Sequence, residues 1–102
     1  MDSDTIRVLI AEDDGFQRLA VVDIFENLDY EVTGAENGQA AWNCLEESTI
    51  GYTFAVIDMI MPEVDGLELI HKIKNSTNPL IKNLPVFMMS SNEEVEMVTS
   101  CL

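Results

Sequence analysis

A doubly wound α/β fold, with one parallel sheet between layers of helix, is what this sequence predicts, and two observations carry the prediction. Four short apolar runs, at 6–11, 30–35, 52–58 and 85–90, alternate with segments whose apolar residues recur at helical spacing. Three of the runs are nearly continuous (RVLIA, FAVI, PVFMM). Strands buried on both faces read that way, and sheets buried on both faces are parallel sheets covered by helices. Strand alternating with helix implies right-handed βαβ crossovers. With 102 residues, residues 1–102 are read as a single domain, and 47% apolar content is enough to build its core.

Taken in order, the run 6–11 is the first strand and ends at three acids, Glu12, Asp13 and Asp14. Asp14 sits where a helix cap is expected. The first helix follows, with Val21, Ile24, Phe25 and Leu28 at i, i+3, i+4 and i+7. The run 30–35 is the second strand, Asn37-Gly38 a cap or turn, and Ala41, Cys44 and Leu45 the stripe of a second helix. The third strand, 52–58, closes on Asp58, and Gly66, Leu69, Ile70 and Ile73 mark the third helix. A longer loop, 75–84, reads as an insertion before the fourth strand, 85–90. Val95, Val98 and Leu102 read as the beginning of a fourth helix, and no further strand follows in the sequence.

The formal charge of −14, from 19 Asp and Glu against 5 Lys and Arg, argues against nucleic-acid binding, because phosphate backbones would be repelled. A solvated acidic surface accounts for most of this charge. No apolar run is long enough to span a membrane, and the acidic N-terminus is unlike a signal peptide. The expectation is a soluble, cytoplasmic protein without membrane contact. Cys44 and Cys101 fit no metal or redox spacing and are expected as free thiols.

In a doubly wound sheet, functional groups gather at the carboxyl ends of the strands. Glu12 and Asp13 follow the first strand and Asp58 closes the third. Clustered carboxylates repel one another, so a cation is needed to hold them close, and Mg2+ favours oxygen ligands. The plainer alternative is that Glu12, Asp13 and Asp14 cap a helix and face solvent. Spacing alone leaves both open.

The segment Asp58-Met59-Ile60-Met61-Pro62-Glu63-Val64-Asp65-Gly66, with Val8-Leu9-Ile10-Ala11-Glu12-Asp13-Asp14 upstream, resembles the signature of the receiver domain of two-component response regulators. The resemblance runs along the whole chain as far as the expected fourth helix. It implies a flavodoxin-like fold of strand order 2-1-3-4-5, with strand five and helix five missing from this sequence. It also implies a Mg2+-dependent phosphoacceptor in a phosphorelay, served by a sensor histidine kinase or a histidine phosphotransfer protein. Such a module phosphorylates itself and is not a turnover enzyme. Asp58 would take the phosphoryl group. Asp13, Glu12, Asp58 and the backbone carbonyl of Ile60 would ligate the metal. Ser90 would bond a phosphoryl oxygen, with Ser91 as the small residue after it. Pro62 and Gly66 read as structural, His71 as a surface residue, and Trp42 as partly buried packing.

One family position has no counterpart here, a Lys at the end of strand five. Lys72, Lys74 and Lys82 all precede Ser90, and so do Arg7 and Arg18. A fragment, a natural short form and completion by a second chain would each explain this; the fragment is preferred. The gap also keeps a second reading open, a receiver-like interaction module that is not phosphorylated. A Mg2+-dependent phosphohydrolase would need an acid two residues after the nucleophile, where Ile60 stands. A flavin protein would need a Ser/Thr-rich loop where Glu12-Asp13-Asp14 stands. Without strand five, residues 86–89 would expose an apolar strand edge, so self-association is expected.

Overall fold

The structure, a computed structural model, describes residues 5–58 and 66–89 in full and residues 95–98 as backbone. Its sheet is built from β1 (Arg7–Ala11), β2 (Glu31–Ala35), β3 (Phe54–Asp58), β4 (Val86–Met89) and β5 (Val95–Val98), in the order β2-β1-β3-β4-β5. The first four are parallel, as the continuous apolar runs require. Helices α1 (Gly15–Glu26), α2 (Gly38–Glu47), α3 (Gly66–Lys74) and the four-residue α4 (Pro79–Lys82) make the connections.

Alternation along the central strands divides the core in two. Leu9, Ala11, Ala55 and Ile57 face one side, where Ala41 and Leu45 of α2 and Leu69, Ile70 and Ile73 of α3 cover them. Val8, Ile10 and Val56 face the other, against Val21, Val22 and Phe25 of α1. Each large aliphatic side chain sealed in this way stabilises the fold by about 1.5–3 kcal/mol. The stripes read on α2 and α3 therefore hold.

On α1 the stripe holds only in part. Val21 and Phe25 pack on the sheet, whereas Ile24 and Leu28 are 59% and 55% exposed. A four-residue helical repeat drifts around the axis, and Val22 lies closer to the sheet-facing direction than Ile24 does.

Two further expectations are corrected. Val95–Val98 is not the start of a helix but a strand, paired antiparallel with β4 from Met89↔Val95 to Val86↔Val98. Two valines three apart suit either one helical turn or the ends of a short strand. The unpaired N–H and C=O groups along β4 decide the matter, because the strand satisfies them and a helix would not. For the same reason, the edge of β4 expected to be open to self-association is covered by β5 along its whole described length. Leu102 lies outside the described residues.

The segment 75–84 is not simply a loop. Asn78 caps α4 by accepting from the Leu80 N–H at 2.9 Å, and Pro79 occupies its first turn, where a missing N–H costs nothing. Ile81 and Leu84 are then buried.

Candidate functional site

The parallel pairing Ala11↔Ile57 aligns the carboxyl ends of β1 and β3. The residues immediately beyond this pair, Glu12 and Asp58, are thereby brought to the same rim. Glu12 continues the strand for one residue more, donating its N–H to the Ala35 carbonyl of β2 at 3.0 Å. It is 2% exposed, the one charged side chain in the buried set of described residues. Its carboxylate accepts the Asp14 N–H at 3.0 Å, and its carbonyl accepts from Arg18 Nη1 at 2.9 Å.

The acidic triplet divides its labour. Asp14 turns outward and caps α1, its Oδ1 accepting the N–H groups of Phe16 at 2.9 Å and Gln17 at 3.1 Å. Glu12 and Asp13 turn the other way. One carboxylate oxygen from each of Glu12, Asp13 and Asp58 lies within 4.8 Å of the others. Glu12 is buried, Asp13 exposed and Asp58 intermediate, so the group opens to solvent on one side.

Burial pushes the Glu12 carboxyl up from 4.5 to about 7. The Asp14 N–H opposes the rise, while the charge of Asp58 and hydrogen bonds shared with Asp58 and Asp13 add to it. A buried acid that holds its proton because it is desolvated and also faces other acids is a place where a cation would be stabilised. Oxygens around Mg2+ at about 2.0–2.1 Å stand at most about 4.2 Å apart. The observed spread is of that order, so these residues fit a small hard cation with little adjustment.

Of the residues singled out from the sequence, Glu12, Asp13 and Asp58 are brought together. Ile60, Ser90 and Ser91, together with Met59, Met61, Pro62 and the rest of 59–65, lie outside the described residues. Trp42 is half-buried under the Lys72 ammonium, which stands 5.3 Å from its ring centre, and His71 is exposed on α3. A surface depression beside Arg7, Cys44 and Tyr52 lies at the other end of the sheet. There Arg7 is already engaged by Glu31, the Gly51 carbonyl and the Tyr52 ring. The site residue that sequence reasoning missed is Arg18. Its signal was a cation in the first turns of α1, four residues after the cap.

A family model described as the response regulator receiver domain matches residues 8–102. The two-component response regulator-like PRR37 of Oryza sativa subsp. japonica is 39% identical over 98 residues, covering 96% of this chain and 13% of that protein. The chain thus spans a small part of its plant relative. Among solved structures, the bacteriophytochrome response regulator AtBRR superposes with a TM-score of 0.74 at 25% identity, covering 86% of this chain and 68% of that one. The response regulator protein TrrA from Thermotoga maritima, in complex with Mg2+-BeF, superposes at 0.75 with 23% identity, covering 85% and 70%. This last likeness bears on the fold alone. Among the described residues, no helix is long and apolar enough to cross a membrane.

Proposed function

Because the chain belongs to the response regulator receiver domain family, we propose that it is a phosphoacceptor of a two-component phosphorelay, taking a phosphoryl group from a phosphohistidine onto Asp58. The observation that carries this reading is the convergence of Glu12, Asp13 and Asp58 at the carboxyl rim of the sheet. The three carboxylates would hold Mg2+, with the Ile60 carbonyl as a further ligand proposed on the motif alone. A bound Mg2+ supplies the positive charge that offsets the developing charge on a transferring phosphoryl group.

The chain's own residues do the rest. An Asp58 carboxylate oxygen forms the new P–O bond as the P–N bond to the donor imidazole breaks, and the imidazole leaves with the bonding pair. Asp58 stands at the end of β3 and is half-buried. Glu12 and Asp13 orient the metal side of the pocket. Ser90, at the end of the run that forms β4, would donate to a phosphoryl oxygen. The partner is a histidine kinase or a histidine phosphotransfer protein, and the module acts in signalling, in the cytoplasm, without turnover of its own.

Beryllofluoride, which mimics a phosphoryl group on a carboxylate, tests the reading. With Mg2+ present it should shift the amide resonances at the carboxyl ends of β1 and β3 in the wild type and leave Asp58→Asn unchanged. Shifts of equal size in both proteins would mean that Asp58 is not the acceptor, and no shift in the wild type would favour a receiver-like interaction module that is not phosphorylated.

A further inference from the structure

We propose that Arg18 is the positioning residue of the metal pocket, holding the Glu12–Asp13 turn in the geometry that lets both carboxylates face Asp58. This rests on the Mg2+ reading of the site and deepens it.

Arg18 bridges three elements. Its backbone N–H donates to the Asp14 carbonyl at 2.8 Å, fixing it in the first turns of α1. Its stem lies across Gly34 of β2, where a Cβ would stand 3.5 Å from its Cδ and 3.6 Å from its Cγ. The stem packs on the exposed face of Gly34, and the guanidinium reaches back to the end of β1. There Nη1 donates to the Glu12 carbonyl at 2.9 Å.

That carbonyl belongs to the peptide joining Glu12 to Asp13. The Glu12 N–H is tied to Ala35 and the Glu12 carboxylate to the Asp14 N–H. With Arg18 on the carbonyl, the peptide that leads into Asp13 is held from its Glu12 side. In a chain with 19 acidic side chains against 5 basic ones, the guanidinium is committed to a neutral carbonyl next to the acids of the pocket. A charge-assisted bond of this kind is about twice as strong as a neutral one. Groups that orient metal ligands without touching the metal typically govern about 10–100-fold of the affinity.

The test is Mg2+ titration of the full chain, followed by amide NMR shifts and by thermal melting without metal. Arg18→Met keeps the stem over Gly34 and removes the donor. Arg18→Lys keeps both stem and cation. Asp13→Asn removes a ligand and calibrates the loss. Arg18→Met should bind Mg2+ about tenfold more weakly. Arg18→Lys should recover most of that loss, a rescue that a packing role would not require because Met packs as well. Arg18→Gln, with the same expected loss, replaces Arg18→Met should the latter fail to melt cooperatively. Wild-type affinity in the Met or Gln variant, or equal loss in the Lys and Met variants, overturns the assignment of Arg18 alone. No Mg2+ binding by the wild type overturns the metal reading and this inference with it.

Discussion

A carboxylate oxygen of Glu12 lies within 4.8 Å of one on Asp58, although Glu12 is 2% exposed. Burial, with the charge of Asp58 beside it, favours the protonated form of the Glu12 carboxyl.

The first prediction concerns pH. Glu12 holds its proton to about 7 in the folded chain, against an ordinary 4.5. The contribution of this group to stability is therefore complete below pH 4.5 and is lost as pH rises through 7. Without Mg2+, the wild type should melt at a lower temperature at pH 7.5 than at pH 4.5, with Glu12 supplying at most ~3 kcal/mol of the difference. Glu12→Gln should flatten much of that slope and weaken Mg2+ binding about tenfold or more. Mg2+ takes the deprotonated form, so its affinity should climb up to about pH 7 and release protons on binding. Identical pH profiles of melting for the wild type and Glu12→Gln would contradict this.

The second prediction separates the members of the acidic triplet. Asp14 caps α1 through two N–H groups. Its bond to Glu12 comes from its backbone and survives substitution. Asp14→Ala should cost about 1 kcal/mol of stability and change Mg2+ affinity little, whereas Asp13→Asn should do the reverse. Urea unfolding and Mg2+ titration of both variants check this. Equal metal loss in the two would mean that Asp13 and Asp14 do not divide between pocket and cap.

The third prediction concerns the core. Ile73 is fully buried beneath α3, on the face opposite α1. Ile73→Ala should destabilise by about 2–5 kcal/mol and leave Mg2+ affinity unchanged at a temperature where it is folded. Loss of metal binding by the folded variant would mean that α3 packing is coupled to the rim.

Much of this was legible in the residues, for identifiable reasons. Leu9, Ile57 and Val86 sit in runs too apolar for a half-exposed strand, so the parallel sheet followed from them. The caps at Asp14 and Asn37 followed from side chains that compete for backbone N–H groups. Asp58 was legible because an acid closes an apolar strand. The antiparallel Val95–Val98 was not, since four residues carry no period and only the partner edge of β4 selects a strand. Nor was Arg18, whose stem packs on Gly34, a contact between residues sixteen positions apart.

The most direct test of the central claim is phosphoryl transfer itself. The chain is mixed with a labelled histidine phosphotransfer protein in Mg2+, and the labelled residue is mapped by mass spectrometry after reduction of the acyl phosphate. The account predicts label on Asp58, lost in Asp58→Asn and abolished by chelating the metal. Label that persists in Asp58→Asn, or that forms equally well without a divalent cation, would contradict it.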